Sequence, residues 1–316
     1  MKVRYNGNMN TSDVVIAIKD FTKDYGSGRG TFDINVNVKQ GEFFGFLGPN
    51  GAGKSTTIRH LMGFSKPDKG ELLIFGKDVK KNRVELMKSI GYLPGEVNLP
   101  TYLTGKEFVK QQIKLQGVKD VSFLEQLKEE FPIDLDLEIK YMSLGDKRTL
   151  AIYSAFMNDP DVLILDEPTS GLDPFRQEIF KKFLLKEKAR GKTIFLSSHI
   201  FKEIDDTCDR IAIIKDGKIV SDFKKSDFDL KNKDCYRIEF ANTNNLNIFK
   251  SRCGVNITIL NESDLTLDIK VEQNNLSDLF FCLSELSILK ISEIKESLES
   301  YFLSFYKEDK VYEGIW

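Results

Sequence analysis

Gly48-Pro49-Asn50-Gly51-Ala52-Gly53-Lys54-Ser55-Thr56 meets the phosphate-loop pattern G-x-x-x-x-G-K-[ST] at every fixed position. Its three glycines let the backbone turn without a Cβ in the way, so that successive N–H groups can point inward around phosphates. An apolar run, Phe43-Phe44-Gly45-Phe46-Leu47, precedes the loop, and helix-like sequence from Lys54 to about Met62 follows it. That context places an anion at a helix N-terminus, where unsatisfied N–H groups and the dipole favour negative charge. Lys54 then supplies a point charge for β and γ phosphates, and the Ser55 hydroxyl is placed to ligate Mg²⁺. By residue frequency the pattern arises by chance in roughly one chain in a hundred of this length. The expectation is a nucleoside triphosphate, with residues 48–56 as its contacts.

Working outward, Val162-Leu163-Ile164-Leu165 and Thr193-Ile194-Phe195-Leu196 are unbroken apolar runs, as is Leu72-Leu73-Ile74-Phe75. Such runs suit central strands buried on both faces of a parallel sheet. Phe32-Asp33-Ile34-Asn35-Val36-Asn37-Val38 instead alternates with period two, which suits a half-buried antiparallel strand. Helix-like segments such as residues 176–188 lie between the runs, so the first two thirds reads as α/β. The Val162 run ends in Asp166-Glu167, two acids at the carboxyl end of a buried strand. Acids often only begin a loop, but beside a phosphate loop they read as a Mg²⁺ ligand (Asp166) and a residue that polarises the attacking water (Glu167).

At this point the residues resemble the ATP-binding cassette (ABC) ATPase family over about residues 14–220. Pro168-Thr169-Ser170-Gly171-Leu172-Asp173-Pro174 is similar to the family's D-loop, and His199 in Leu196-Ser197-Ser198-His199 matches its switch histidine. Tyr25, in Thr22-Lys23-Asp24-Tyr25-Gly26, sits where the family stacks an aromatic ring on adenine. No N/T-K-x-D guanine-reading motif occurs, which favours ATP. Met142-Ser143-Leu144-Gly145-Asp146-Lys147-Arg148 resembles the signature L-S-G-G-Q, with Ser143 and Gly145 matching, Leu144 replacing a glycine and Asp146 the glutamine. The resemblance implies that Ser143 and Gly145 cap the γ-phosphate held by an opposite subunit, and an added carboxylate there repels phosphate unless turned away. A second departure is Gly95, in Gly91-Tyr92-Leu93-Pro94-Gly95-Glu96, where the family carries a glutamine; Glu96 is the nearest polar candidate to replace it.

The implied fold is a P-loop ABC-type core with a mixed sheet, flanking helices and a helical insert at about residues 97–145. A small α+β accessory domain over residues 221–316 completes it. In that second part Leu265, Leu267, Ile269 and Val271 alternate with polar residues, while Leu276, Leu279, Phe280 and Leu283 take helical spacing, as do Leu298, Tyr301, Phe302 and Phe305. Residues 1–13 read as a flexible lead-in.

The implied activity is ATP hydrolysis with MgATP held by Lys54, Ser55 and Asp166, and with Glu167 as base. One phosphate loop and one signature per chain require a second cassette subunit, identical or not. No stretch approaches 18 consecutive apolar residues, so the resemblance implies a separate transmembrane permease and a place at the cytoplasmic face of the cell membrane. One cassette followed by a small α+β domain looks like the export-type subfamily. An alternative is a soluble ABC-type ATPase acting on ribosomes or chromosomes, but tandem cassettes, heptad arms and basic surfaces are not visible. A third is a catalytically weak, nucleotide-gated regulator, motivated by Gly95 and Asp146. The net charge of −2 argues against a generalised nucleic-acid surface. Cys208, Cys235, Cys253 and Cys282 are scattered without C-x-x-C spacing and read as reduced thiols.

Overall fold

The computed structural model describes residues 14–231, 234–252, 254, 256–272, 275–294 and 297–307; the lead-in and Cys253 lie outside them. The chain forms two compact units, Met1–Lys225 and Ser226–Trp316. The first begins β1 (Val14–Asp24), β2 (Gly30–Lys39), β3 (Phe43–Leu47), α1 (Lys54–Leu61), β4 (Lys69–Ile74), β5 (Lys77–Asp78), α2 (Arg83–Leu86) and β6 (Ile90–Leu93). It continues through α3 (Gly105–Gln116), α4 (Ser122–Glu130), α5 (Leu144–Phe156), β7 (Val162–Asp166), α6 (Pro174–Ala189), β8 (Thr193–Ser198), α7 (Phe201–Thr207), β9 (Arg210–Lys215) and β10 (Lys218–Lys224).

Two sheets result. One is antiparallel, ordered β2-β1-β4-β5, and the other is ordered β10-β9-β3-β8-β7-β6. In the second, β9, β3, β8, β7 and β6 run parallel, and β10 adds an antiparallel edge. β3, β7 and β8 are buried at every residue, as unbroken apolar runs in a covered parallel sheet should be. The alternation over residues 32–38 is realised in β2, where Ile34, Val36 and Val38 are buried between exposed Asp33, Asn35 and Asn37.

The Leu72 run is a correction. It does not enter the parallel sheet: β4 pairs antiparallel with β1, and only Leu72 and Ile74 are fully buried. A four-residue apolar run carries no signal of strand direction, and Leu73 faces the less covered side.

The two sheets share a core. Ile16, Phe21, Ile34 and Val36 meet Ile58 and Leu61 of α1 and the inward residues Phe44, Phe46, Ile164 and Phe195 of the second sheet. Phe44 and Phe195 lie 5.2 Å apart between ring centroids. Each such ring removes enough apolar surface from water to contribute about 2–3 kcal/mol, which fixes β3 and hence the loop that follows it. The insert is anchored differently. α3 starts with a reciprocal capping box between Thr104 and Glu107. Phe131, Phe156, Phe180 and Phe183 then interlock rings at 5.1–6.4 Å, packing the ends of α4 and α5 on α6.

β10 stays paired with β9 as far as Lys224↔Arg210, so the first unit runs to Lys225, past the Val220 boundary read from composition. α8 (Lys225–Lys231) starts at that boundary. The second unit then runs β11 (Cys235–Phe240), α9 (Thr243–Arg252), β12 (Ile257–Ser263), β13 (Thr266–Val271), α10 (Leu276–Leu283), β14 (Ile288–Glu293) and α11 (Leu298–Lys307). Its sheet, β12-β13-β11-β14, is wholly antiparallel, giving the split β-α-β-β-α-β arrangement. Leu267, Ile269 and Val271 point into its core with Ile238, Phe240 and Phe249. On α10 the buried face is Leu279, Cys282 and Leu283, whereas Phe280 is 66% exposed. Cys282 thus takes the inward place that hydrophobic spacing assigned to Phe280.

Among the described residues no helix is long and apolar enough to cross a membrane, and no group of three or more His, Cys, Asp or Glu side chains forms a metal cage. Cys208, Cys235 and Cys282 are buried, and none of the three is in a disulfide.

Candidate active site

β3 delivers the chain at Gly48, and α1 receives it at Gly53. Gly53 caps that helix with φ 107° and ψ 3°, a left-handed backbone that L side chains rarely adopt, and a Cβ there would lie 2.6 Å from Thr31 Cγ2. At Gly48 a Cβ would lie 2.5 Å from the Ile214 carbonyl oxygen, so the loop must be bare where it passes β9. Two backbone bonds brace it: Gly48 N–H donates to Ser198 O at 3.2 Å and Gly217 N–H to Ala52 O at 3.0 Å.

Lys54 is buried. Its ammonium donates to the Gly48 and Pro49 carbonyls at 2.7 and 3.0 Å and pairs with Glu167 Oε1 at 3.1 Å. Glu167 Oε2 in turn lies 3.3 Å from His199 Nδ1. Burial pushes the Glu167 carboxyl up, but the Lys54 ammonium and the His199 ring outweigh it and leave the group below its ordinary value. The backbone of Glu167 is itself unusual, with φ 45°; its N–H donates to Ser197 O at 3.0 Å. A cavity of about 140 Å³ opens here, lined by Asn50, Gly51, Gly53, Lys54, Ser55, Thr56 and Glu167.

Asp166, one residue earlier, is buried at the end of β7 and accepts a hydrogen bond from Ser197 Oγ through Oδ1. Its other oxygen, Oδ2, faces Gly95: a Cβ at that position would lie 3.3 Å from it. Space next to the buried carboxylate is therefore kept by the missing side chain. Glu96 is exposed and, among the described residues, makes no hydrogen bond or ion pair, so nothing brings it into that space.

Lys54, Ser55 and Glu167 thus line one cavity, His199 joins them through its contact with Glu167, and Asp166 precedes Glu167 in the chain. Ser143, Gly145 and Tyr25 do not line the cavity. Tyr25 is 59% exposed on the β1–β2 loop, with Lys23 Nζ 5.5 Å from its ring centroid. Ser143 caps α5, accepting from Asp146 N–H at 3.1 Å and donating its hydroxyl to Asp146 Oδ2 at 2.7 Å. Asp146 Oδ1 receives Arg176 Nη1 at 2.9 Å, and a Cβ on Gly145 would lie 2.9 Å from that same nitrogen. The carboxylate is neutralised within its own chain. Burial raises its pKa, and Ser143 and Arg176 lower it by more, so it stays ionised.

Two site residues escaped the sequence reading. Ser197 holds both Asp166 and the Glu167 N–H; its signal is a hydroxyl within the fully buried β8. Arg148 is 1% exposed on α5 and, among the described residues, donates only to backbone carbonyls. A lone arginine in a helix otherwise sided by Thr149, Leu150, Ala151 and Ile152 was the available clue.

Known proteins resemble the chain in sequence and in fold. The family profile described as ABC transporter matches residues 31–170. The bacitracin transport ATP-binding protein BcrA of Bacillus licheniformis is 32% identical over 307 residues, covering 92% of this chain and 96% of the relative. Among solved structures, the ATP-binding subunit of an ABC transporter superposes with TM-score 0.63 at 28% identity, covering 69% of this chain and 92% of that one. A dimeric ATP-binding cassette in a post-hydrolysis state bound to ADP and Pi gives TM-score 0.59 at 27% identity, covering 66% and 98%.

Proposed function

We propose, from the premise that this chain belongs to the ATP-binding subunits of ABC transporters, that it couples its ATP hydrolysis to export through a separate transmembrane permease. Binding and hydrolysing ATP are the family's activity. The observation that carries the site assignment is the contact of Glu167 with Lys54 at the phosphate-loop cavity and with His199 on its other oxygen.

In this reading Gly48, Pro49, Asn50, Gly51, Ala52, Gly53, Lys54, Ser55 and Thr56 hold the phosphates, and Tyr25 stacks on adenine. The donors fit Mg²⁺, which takes one or two carboxylates and hydroxyls beside substrate phosphates instead of a protein cage. Ser55 and Asp166 supply these, and Asp166 has one oxygen fixed by Ser197 and the other facing open space at Gly95. When bound, the metal offsets charge on the phosphate oxygens.

The chain's own residues account for the proton step. Lys54 exchanges two carbonyl bonds and an ion pair for phosphate oxygens, so its charge stays compensated. Glu167 then loses the larger of the two influences that hold its pKa down, burial weighs more against the remaining His199 contact, and its carboxylate becomes a stronger base toward water. His199 keeps that carboxylate oriented.

The second half of each site comes from Ser143 and Gly145 of another cassette subunit. A like cassette forms a dimer with ADP and Pi, which supports this pairing. The transport role of the bacitracin relative supports export and a location at the cytoplasmic face of the membrane. The ribosome or chromosome alternative has no such support, and the net charge of −2 supplies no nucleic-acid surface.

The test is Mg²⁺-dependent phosphate release by the purified chain, with Glu167→Gln as control, together with isolation of whatever copurifies from solubilised membranes. A permease in the eluate is expected. Full activity as a strict monomer, or no Mg²⁺-dependent affinity for ATP, would sink the reading.

A further inference from the structure

Arg148 is the largest fully buried side chain among the described residues, and its guanidinium touches no carboxylate. Nε donates to Pro168 O at 2.7 Å; Nη1 donates to Pro94 O at 2.5 Å and Gly95 O at 3.1 Å; Nη2 donates to Asp166 O at 3.3 Å and to Glu167 O. Five carbonyls from two separate segments converge on one planar fork. Burial lowers the Arg148 pKa to about 10, so the group remains a cation at neutral pH.

The convergence explains the strained backbone at Glu167. A non-glycine residue at φ 45° persists only where its surroundings over-determine it. Here the N–H is tied to Ser197 O and the carbonyl to Arg148, one on each side of the Cα that aims the carboxylate at Lys54 and His199. The same fork holds the segment where Gly95 offers no side chain and Glu96, among the described residues, makes no hydrogen bond or ion pair.

We propose that Arg148 is a positioning residue for hydrolysis: it fixes the left-handed backbone of Glu167 and ties the Pro94–Gly95 main chain to that base, a link made from α5 because position 95 cannot make it. The proposal rests on Glu167 being the base. A lysine cannot replace the fork, since one ammonium on a flexible stem reaches at most a few of five carbonyls spread around a plane.

The experiment compares the full chain with Arg148→Lys, Arg148→Gln, Glu167→Gln and the double variant Arg148→Lys/Glu167→Gln. Arg148→Gln, neutral and still carrying two N–H donors, ensures that the result does not depend on a buried ammonium being tolerated. Expected is a 10- to 100-fold fall in kcat with the Kd of a fluorescent ATP analogue within twofold. In the Glu167→Gln background the same change should lower the residual rate less than twofold, because a residue acting through the base has nothing left to orient. Hydrogen exchange should speed in peptides spanning both residues 94–96 and residues 166–168. An unchanged kcat, a loss confined to Kd, losses that multiply in full in the double variant, or faster exchange in one segment alone would overturn the proposal. If Glu167→Gln itself turns over at the unmutated rate, the base assignment fails instead, and the two failures are distinguishable.

Discussion

At the phosphate loop a buried Lys54 is balanced by Glu167 at 3.1 Å and by two carbonyls of its own loop, whereas at the start of α5 the half-exposed Asp146 and Arg176 are balanced against each other, with Ser143 drawn in. The first arrangement has no slack. Changing any partner strands a charge in a place water reaches poorly, so the residue types are dictated and the motif is intact. The second sits where water and a nearby guanidinium can settle an extra charge. Leu144 and Asp146 can therefore depart from L-S-G-G-Q while Ser143 keeps the helix cap. Tolerance to substitution follows burial, and each prediction below probes one side of that contrast.

The largest effect is expected at Glu167. Glu167→Gln should lower kcat by roughly 10² to 10⁴, the range for losing a general base, with ATP affinity retained. Steady-state phosphate release beside equilibrium nucleotide binding measures both. Turnover at the unmutated rate would mean that the buried pair is structural, and the contrast between the half-sites would lose its functional meaning.

Next is Gly53→Ala, which leaves every charge in place. An L residue at φ 107° is strained by about 1–2 kcal/mol, and the new methyl would press on Thr31 Cγ2 from 2.6 Å. Because the strain falls on the backbone N–H groups that must surround phosphate, ATP affinity should fall about tenfold or more, 1.4 kcal/mol being one decade. Isothermal titration with MgATP checks it. Unaltered affinity would show that the loop binds in another conformation.

The same burial argument separates what sequence reveals from what it hides. Residues 43–47 and 162–166 are legible because strands covered on both faces admit only apolar residues, and the phosphate loop is legible because each position answers to one demand. Leu72 to Ile74 misled because a half-covered strand can look the same over four residues, and pairing direction is decided by Ile16 to Ile18 of β1, far earlier in the chain. On α10, helical spacing placed Leu279 and Leu283 correctly and missed only the edge of the buried face, where the small Cys282 turns inward and Phe280 outward. Arg148 was hidden for a further reason: all its partners are main-chain carbonyls, which carry no residue type to match. Ser197 left the same faint trace, a hydroxyl on a buried strand.

Tyr25 tests the exposed side with a neutral group. Its ring is 59% exposed, does not line the cavity and has Lys23 Nζ 5.5 Å from its centroid, so Tyr25→Ala should leave folding intact. Loss of a stacked base costs about 1–3 kcal/mol. The low end of that range applies to an open ring, giving roughly a fivefold rise in KM with kcat unchanged, and the same rise for GTP, because stacking does not read base edges. A kcat effect would place the loop in the chemistry instead.

The smallest effect is expected at Asp146, and its sign is the informative part. Asp146 is held below the ordinary aspartate value, its burial being outweighed by Ser143 and Arg176, so it is charged throughout the neutral range and pH cannot be used to discharge it; substitution must. In Asp146→Asn the cap from Ser143 Oγ to the residue 146 N–H survives, while the competing acceptor of the Ser143 hydroxyl weakens and Arg176 keeps its charge with Asp173 Oδ2, at 3.6 Å from Nε, as its remaining counter-ion. The half-site therefore gains one unit of positive charge. At a half-exposed position one charge is worth on the order of 0.5–1 kcal/mol, so the ATP concentration for half-maximal activity should fall two- to fivefold, with kcat nearly constant. The gain should fade as salt rises, since the Debye length shortens to about 8 Å at 0.15 M. A rise in that concentration would mean that Arg176 binds phosphate only when Asp146 holds it in place, and the exposed half-site would then be as tightly specified as the buried one.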